Sequence, residues 1–393
     1  MSQLDIEKEV AAANKMLTGA SVNEQYEWLI DKLYSAFSEA RRGKLDTINE
    51  QRFEENREIE LIRLAEEVQK RTYVPERSVA FIITNPTPRE IFAASFCDRV
   101  IHHFLIQQSG HFWDKRLSSR SFSCREGKGV LYGVRHLEND IRQATNGGKE
   151  PAWVMKIDIQ GYFMSLPRQY LFERVCWGLN RQFKDGGYAY DICKFLWGQI
   201  IFDNPLDGVR LKGLPSDWDI LPPSKSMFHS EKDKGIVIGN LTSQWMSNMA
   251  LDPLDRFVQF ELDCKWYGRY VDDAYFVART KDELIDLRFK VTKFISTMGL
   301  TIHPKKFYLQ PVNKGIAFLG VVIYPGRTVL AKRLRQNMRQ LKRDIDKFGL
   351  SKNHVESVRV YQGLSVHYNH KKTLVDIFGN QILREVSRWY YSS

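Results

Sequence analysis

The segment Tyr267-Gly268-Arg269-Tyr270-Val271-Asp272-Asp273-Ala274-Tyr275-Phe276-Val277-Ala278 constrains the fold more than any other stretch. Its aromatic and β-branched residues favour extended backbone, so residues 266–278 are read as two short strands turning at Val271-Asp272. Adjacent carboxylates at such a turn repel one another, and removal from water raises the cost of keeping both ionised. A lone Asp-Asp pair is more often a solvated turn. Here a second segment changes the reading: Trp153-Val154-Met155-Lys156-Ile157-Asp158-Ile159 carries apolar residues on both faces and an aspartate near its end. A strand of that kind belongs inside a sheet. Asp158, Asp272 and Asp273 are therefore expected to share a site that needs cations. Hard carboxylate oxygens suit Mg²⁺, which takes one or two carboxylates and completes its shell with phosphates and water. Two such ions, with Mn²⁺ as a substitute, can serve both the attacking and the leaving oxygen of an in-line displacement at phosphorus.

The remaining pattern is mixed. Residues 1–75 read as helical, with Ile59, Leu61, Ile62, Leu64, Ala65 and Val68 forming an apolar stripe between Phe53 and Tyr73. Residues 78–83 read as a strand, Asn85-Pro86-Thr87-Pro88 as a turn, and 96–113 and 130–143 as helices on either side of a loop from Ser118 to Gly129. Residues 203–235 form a long stretch rich in Gly, Pro, Asp, Ser and Lys, the mark of a functional or mobile surface insertion. Residues 240–262 and 281–298 read as helices, 306–310 and 315–323 as strands, and 331–393 as two or three basic helices.

Composition narrows the partner. The 393 residues carry a formal charge of +11, which favours a polyanion through counterion release, although a basic soluble protein is the plain alternative. Five cysteines, none in a C-x-x-C pair, argue against a disulfide framework or a structural zinc site. The opening MSQLDIEKEV lacks the apolar core of a signal peptide, and no apolar run approaches the length of a membrane span. A cytoplasmic protein with no membrane partner is expected.

With both acidic segments in hand, the chain resembles the reverse transcriptases. Asp158 with Phe163, inside KIDIQGYFMSLP, matches their palm aspartate followed five residues later by an aromatic; Tyr270-Val271-Asp272-Asp273 matches their Tyr-x-Asp-Asp hairpin. The resemblance covers roughly residues 50–385. It implies that Asp158, Asp272 and Asp273 bind metal, that the Ile159 carbonyl joins them, and that Phe163 is the steric gate against a 2′-hydroxyl. An ordinary core phenylalanine is the alternative for Phe163. Pro88 to Phe92, Asp98 to His103 and Phe122 to Gly129 resemble the fingers blocks. Arg89, Arg125 and Lys128 are the candidate triphosphate contacts, against the reading of a solvated basic loop. Asp98 and Arg99 are expected to pair internally, and His102 and His103 to pack or cap.

Gly235 to Gln244, GIVIGNLTSQ, resembles the block that in most reverse transcriptases carries Gln-Gly and ends Ser-Pro. Ile238 stands for the Gln and Gln244 for the Pro, a departure shared with diversity-generating retroelements and some unclassified and antiphage-defence enzymes. An aliphatic group in place of an amide loosens base selection, unless Ile238 only packs; Gly239 permits close approach of template and nucleotide. Gly299 to Lys306 resembles the motif that supplies a lysine near pyrophosphate, with Lys306 favoured, Lys305 next, and a surface lysine pair as the alternative. Gly315 to Gly320 resembles the primer-grip turn.

The implied fold is α+β, a right-hand polymerase. It has an N-terminal helical region (1–75), fingers (76–150), a palm with a small antiparallel sheet, part of the fingers and the 203–235 insertion (151–325), and a helical thumb (326–393). The thumb's Lys332, Arg333, Arg335, Arg339, Lys342 and Arg343 would track a duplex backbone, a solvated helix face being the alternative. The roles of Trp389, Tyr390 and Tyr391 stay open between packing and partner contact. The implied activity is RNA-directed DNA polymerisation from a primer, DNA or RNA, with dNTPs. The expected setting is an error-prone diversity-generating retroelement, with a co-encoded structured RNA and an accessory protein as partners. A defence-associated enzyme making repetitive or untemplated DNA, and a non-catalytic RNA-binding protein on the same fold, are the alternatives.

Overall fold

The computed structural model describes residues 3–42, 48–84, 87–368 and 370–389, with side chains of 3–21 and 48 left aside. Asn85 and Pro86 of the expected turn, and Tyr390 and Tyr391, lie outside it. The described strands are β1 (Val79–Ile83), β2 (Arg89–Ala93), β3 (Trp153–Ile157), β4 (Arg210–Leu211), β5 (Trp266–Tyr270), β6 (Asp273–Ala278), β7 (Tyr308–Pro311), β8 (Ile316–Phe318), β9 (Val321–Tyr324) and β10 (Arg327–Leu330). With the helices they make a mixed α+β chain. It divides into two units: Met1–Ser118, Ile159–Pro253 and Ile295–Thr301 form the first, and Ser119–Asp158, Leu254–Phe294 and Ile302–Ser393 the second. No described helix is long and apolar enough to cross a membrane.

The first unit is built on the helix Phe96–Arg116, whose start is capped by the Ser95 hydroxyl accepting from the Asp98 N–H. Helix Gln3–Ala40 packs along it, with Phe37 edge-on to Phe96 and Trp28 edge-on to Phe104. Helices Arg168–Gln182 and Tyr188–Phe202 pack on it too, and neither was evident in the sequence. Gly178 makes this approach possible: a Cβ there would stand 2.5 Å from the Trp113 indole nitrogen. Trp197 and Trp245 stack at 5.9 Å alongside. The unit's sheet has the order β2-β1-β4. The third strand comes from the stretch read as an irregular insertion.

The stripe expected between Phe53 and Tyr73 falls on one helix, Arg57–Gln69, with Leu61, Leu64, Ala65 and Val68 buried. The shorter Ile48–Glu55 precedes it, and at the break the Asn56 amide bonds the Arg52 carbonyl and competes with helical backbone. Two other expectations need correction. The expected 240–262 helix ends at Ala250 and restarts as Asp252–Arg256, since Pro253 has no N–H to continue it. A π-turn, Phe257–Glu261, follows. Asp98 does not pair with Arg99 among the described residues. Successive helical side chains point apart, and Asp98 instead accepts from the Tyr73 hydroxyl at 2.7 Å and the Glu76 N–H at 3.1 Å.

The second unit holds the four-stranded antiparallel sheet β5-β6-β3-β7. Val154, Tyr275 and Val277 share one face and join a core with Val134, Leu137 and Ile141 of helix Val130–Ala144. Gly268 lets the rings in: a Cβ there would lie 2.6 Å from both Phe122 and Tyr275. The expected strand 315–323 is two, β8 and β9, turned by positive φ at Leu319 and Gly320. With β10 they form a second antiparallel sheet. Three helices complete the unit, Lys332–Phe348, Lys352–His367 and Lys371–Arg388.

Burial pushes the Asp98 carboxyl up to about 6. A raised folded value means that the native state holds a proton the unfolded chain has lost, so stability falls as pH rises from about 4 to about 6. Relative to Asp98→Asn, wild type should lose about 3 kcal/mol across that window, read by urea denaturation at successive pH values. Parallel curves for the two proteins would refute the assignment.

Candidate active site

Strand register brings the acidic segments of the second unit together. Ile157 pairs with Ala274, so the next step along β3 sets Asp158 opposite Asp273, with Asp272 beside it in the turn. The turn is left-handed at Val271, φ 56°, a costly conformation for a β-branched residue. It persists because both backbone groups of Val271 are held. Its N–H donates to the Ser123 hydroxyl at 3.1 Å, and its carbonyl accepts from the Arg269 guanidinium at 2.9 Å.

Arg269 is fully buried and forms a two-pronged pair with Asp255, also fully buried, at 2.9 and 2.7 Å. The Tyr267 hydroxyl donates to the same carboxylate at 2.7 Å. A second buried carboxylate, Asp140, accepts from Arg120 at 2.8 and 2.9 Å and from the Tyr275 hydroxyl at 2.8 Å. Backbone bonds tie Phe122 N–H to the Arg269 carbonyl and Arg269 N–H to the Arg120 carbonyl. The loop carrying Ser123 and Arg125 is thereby fixed to the hairpin.

Two lysines face the acids. Lys306 reaches Asp158 at 2.5 Å. Lys156 reaches Asp273 at 3.1 Å and also donates to the Ala317 carbonyl. No described cationic side chain pairs with Asp272. Burial, then the Asp158 charge, with a further contribution from Asp273, pushes its carboxyl up to about 6. Burial also raises Asp273, opposed by Lys156. Among the described residues no three His, Cys, Asp or Glu side chains are grouped closely enough to hold one metal ion. The donor chemistry nonetheless suits a hard cation: all three aspartates offer carboxylate oxygens, and Asp272 has no cationic partner among the described residues.

The other expected residues divide between the units. In the second, Arg125 donates to the Ser121 carbonyl, and Lys128 donates to the Ser119 and Ser121 carbonyls and lies 5.5 Å from the Tyr132 ring. In the first, Phe163 and Ile238, half-buried, pack on one cluster with Ala80, Phe92, Met164, Met227 and Val237. The Ile238 carbonyl accepts from Phe92 N–H, and the Phe163 carbonyl from Ile236 N–H. Gly239, at φ 128°, lies so close to β2 that a Cβ would meet the Phe92 carbonyl at 2.6 Å. Ile159 is buried, while Arg89 and Gln244 are exposed. Lys305 is exposed as well.

Sequence reasoning missed Lys156, Arg269, Asp255 and Glu90. Glu90, fully buried next to exposed Arg89, accepts from Trp218, Ser226 and the Met227 N–H. The signal available was a charged residue at an inward position of an otherwise apolar strand.

No family model matches the chain, and no curated protein does. Among solved structures it is similar to apo telomerase from Candida tropicalis truncated from its C-terminal domain. The identity is 14% and the TM-score 0.42, covering 65% of this chain and 55% of that one. It is also similar to telomerase from the same organism in complex with the TWJ fragment of telomeric RNA. There the identity is 13% and the TM-score 0.42, with 81% and 65% covered. The chain spans less than two thirds of either protein.

Removing one partner of a buried ion pair strands the other. Arg269→Ala should therefore lower stability by about 3–5 kcal/mol in urea denaturation. A loss below about 1 kcal/mol would show that the pair does not hold the hairpin.

Proposed function

We propose that this chain is a reverse transcriptase, extending a primer 3′-hydroxyl along an RNA template with deoxynucleoside triphosphates. The observation that carries the reading is the register that sets Asp158 opposite Asp273, with Asp272 beside them, on a turn held in a strained conformation. Strain maintained by a buried network is typical of a site whose geometry matters. Asp158, Asp272 and Asp273 would hold two Mg²⁺ ions, with the Ile159 carbonyl as the ligand the resemblance adds. Bound there, the ions would neutralise the acids and stabilise charge on the attacking and leaving oxygens.

The chain's own residues supply the rest. Lys306, beside Asp158, is the candidate proton donor to the departing pyrophosphate. Arg125 and Lys128 carry positive charge on the loop tied to the hairpin and suit triphosphate oxygens. Arg89 opens β2 from the exposed side and offers the same chemistry. Phe163 would exclude a 2′-hydroxyl. Ile238, an aliphatic group beside Gly239, would leave the base less closely checked, which suits an error-prone enzyme of a diversity-generating retroelement. Gln244 would follow it at the start of the next helix. A defence-associated enzyme is the other setting the same departure suits. A structured RNA, and an accessory protein in the retroelement setting, would then be the working partners.

One observation favours a second reading. Lys156 and Lys306 already satisfy two of the three carboxylates without a metal, as a non-catalytic RNA-binding protein on this fold would need.

Primer extension separates the two. With a heteropolymeric RNA annealed to a DNA primer, dNTPs and Mg²⁺, the wild type should synthesise DNA. Asp272→Ala with Asp273→Ala should reduce synthesis at least about a hundredfold. Absence of wild-type synthesis with RNA still bound would favour the second reading. Phe163→Ala should raise ribonucleotide incorporation about tenfold or more relative to dNTPs; an unchanged ratio would remove the gate.

A further inference from the structure

The first unit contains a cavity of about 890 Å³ that the polymerase reading does not use. It lies among helices Ile48–Glu55 and Arg57–Gln69, strand β1, the start of helix Phe96–Arg116 and the segment leading into β4. Five arginines line it, against two glutamates. Those glutamates are already engaged: Arg63 binds Glu60 at 2.7 Å and approaches Glu76 at 3.7 Å. Among the described residues no ion pair or side-chain hydrogen bond engages Arg52, Arg77, Arg99 or Arg210. Arg52, Arg77 and Arg210 are exposed, while Arg99 is half-buried and burial lowers its affinity for a proton. A guanidinium stays charged regardless, so Arg99 carries a desolvation cost that an anion would relieve.

The backbone is arranged to gather these side chains. β4 pairs with β1 in parallel, setting Arg210 beside Val79. Gly208, at φ 65°, lets the Arg77 side chain lie against the loop; a Cβ there would stand 2.7 Å from its Nε. The segment read from sequence as an irregular insertion therefore forms one wall.

We propose that this cavity binds the sugar–phosphate backbone of RNA. Planar guanidinium forks match phosphate oxygens, and four without partners, spread over a cavity this large, suit several successive phosphates better than one. Asn49, Asn56 and Ser95 also line it, and amide and hydroxyl groups can bond the ribose 2′-hydroxyl that marks RNA. The site needs no catalysis and stands whether or not the chain polymerises.

The test uses the full chain and a 30-nucleotide RNA hairpin of mixed sequence, with affinity measured by fluorescence anisotropy from low to high salt. Arg77→Gln with Arg210→Gln, both exposed, should weaken binding about tenfold and reduce the logarithmic salt slope by about two. Adding Arg99→Gln should deepen both effects, with circular dichroism to confirm folding. Arg57→Gln, whose guanidinium is tied to Glu58, should leave the slope unchanged. The same should hold in the Asp272→Ala, Asp273→Ala background, which separates this site from the catalytic reading. An unchanged slope in the double arginine variant would overturn the proposal, as would an equal effect of Arg57→Gln. Equal loss of a DNA hairpin of the same sequence would overturn the assignment to RNA. Loss of dATP binding with the hairpin unaffected would show a nucleotide pocket instead.

Discussion

The arrangement in the second unit depends on a pair of charges with no access to water. Arg269 and Asp255 are both fully buried, and the Arg269 fork spans the Asp255 carboxylate and the Val271 carbonyl. A buried ion pair contributes little net stability, because desolvation cancels most of its attraction. Its consequence here is geometric. A β-branched residue at positive φ costs on the order of 1–3 kcal/mol, and a hydrogen bond from a charged donor returns about as much. Together with the Ser123 hydroxyl, Arg269 makes that turn the lowest state available, and the turn sets Asp272 and Asp273 at its tip. Asp140 does similar work nearby, binding Arg120 and the Tyr275 hydroxyl. Each strand of the hairpin thus has a tyrosine anchored to a buried aspartate.

The acids at the tip are balanced differently. Side chains two residues apart share a face of a strand, so Lys156 lies on the same side as Asp158 and reaches diagonally to Asp273. Lys306 approaches Asp158 from the segment before β7. Neither reaches Asp272 within ion-pair distance, and its proton affinity is raised first by burial and then by the neighbouring Asp158 and Asp273 charges. Two lysines and three aspartates leave a site that is incomplete electrostatically, though not mechanically. A bound cation would redress the imbalance.

Much of this was legible in the sequence. The strands at 153–157 and 266–278 and the helix from 96 announced themselves through aromatic and apolar patterning, because there local preference and burial agree. The Asp158 partnership could be expected, since a carboxylate at the end of an apolar strand must find a compensating charge close to the sheet. What stayed hidden depends on three-dimensional neighbours. Asp255 lies 14 residues before Arg269 with a π-turn between them, so no local spacing links the two. Phe163 and Ile238 share a cluster despite the length of chain separating them. Helix Arg168–Gln182 places arginines against tryptophans, with Arg181 3.6 Å and Arg174 4.7 Å from the Trp177 ring. Its apolar stripe is therefore partly made of charged side chains, and a hydrophobic period does not register it.

The stretch from 203 to 235 shows how charge organises the first unit. In β2 the side chains alternate, so Arg89 faces outward and Glu90 inward. Glu90, with no solvent access, requires donors, and Trp218, Ser226 and Met227 provide three. One buried carboxylate thus fastens an otherwise irregular segment to a strand. The same segment brings Gly208 against the Arg77 side chain and Arg210 beside Val79. The buried carboxylates Glu90 and Asp98 each collect two or more donors from their own unit, whereas Arg52, Arg77, Arg99 and Arg210 collect no acceptor among the described residues. Arg99, which costs desolvation, gains no partner among the described residues and is brought beside the exposed Arg52, Arg77 and Arg210, is best explained by a ligand carrying the opposite charge.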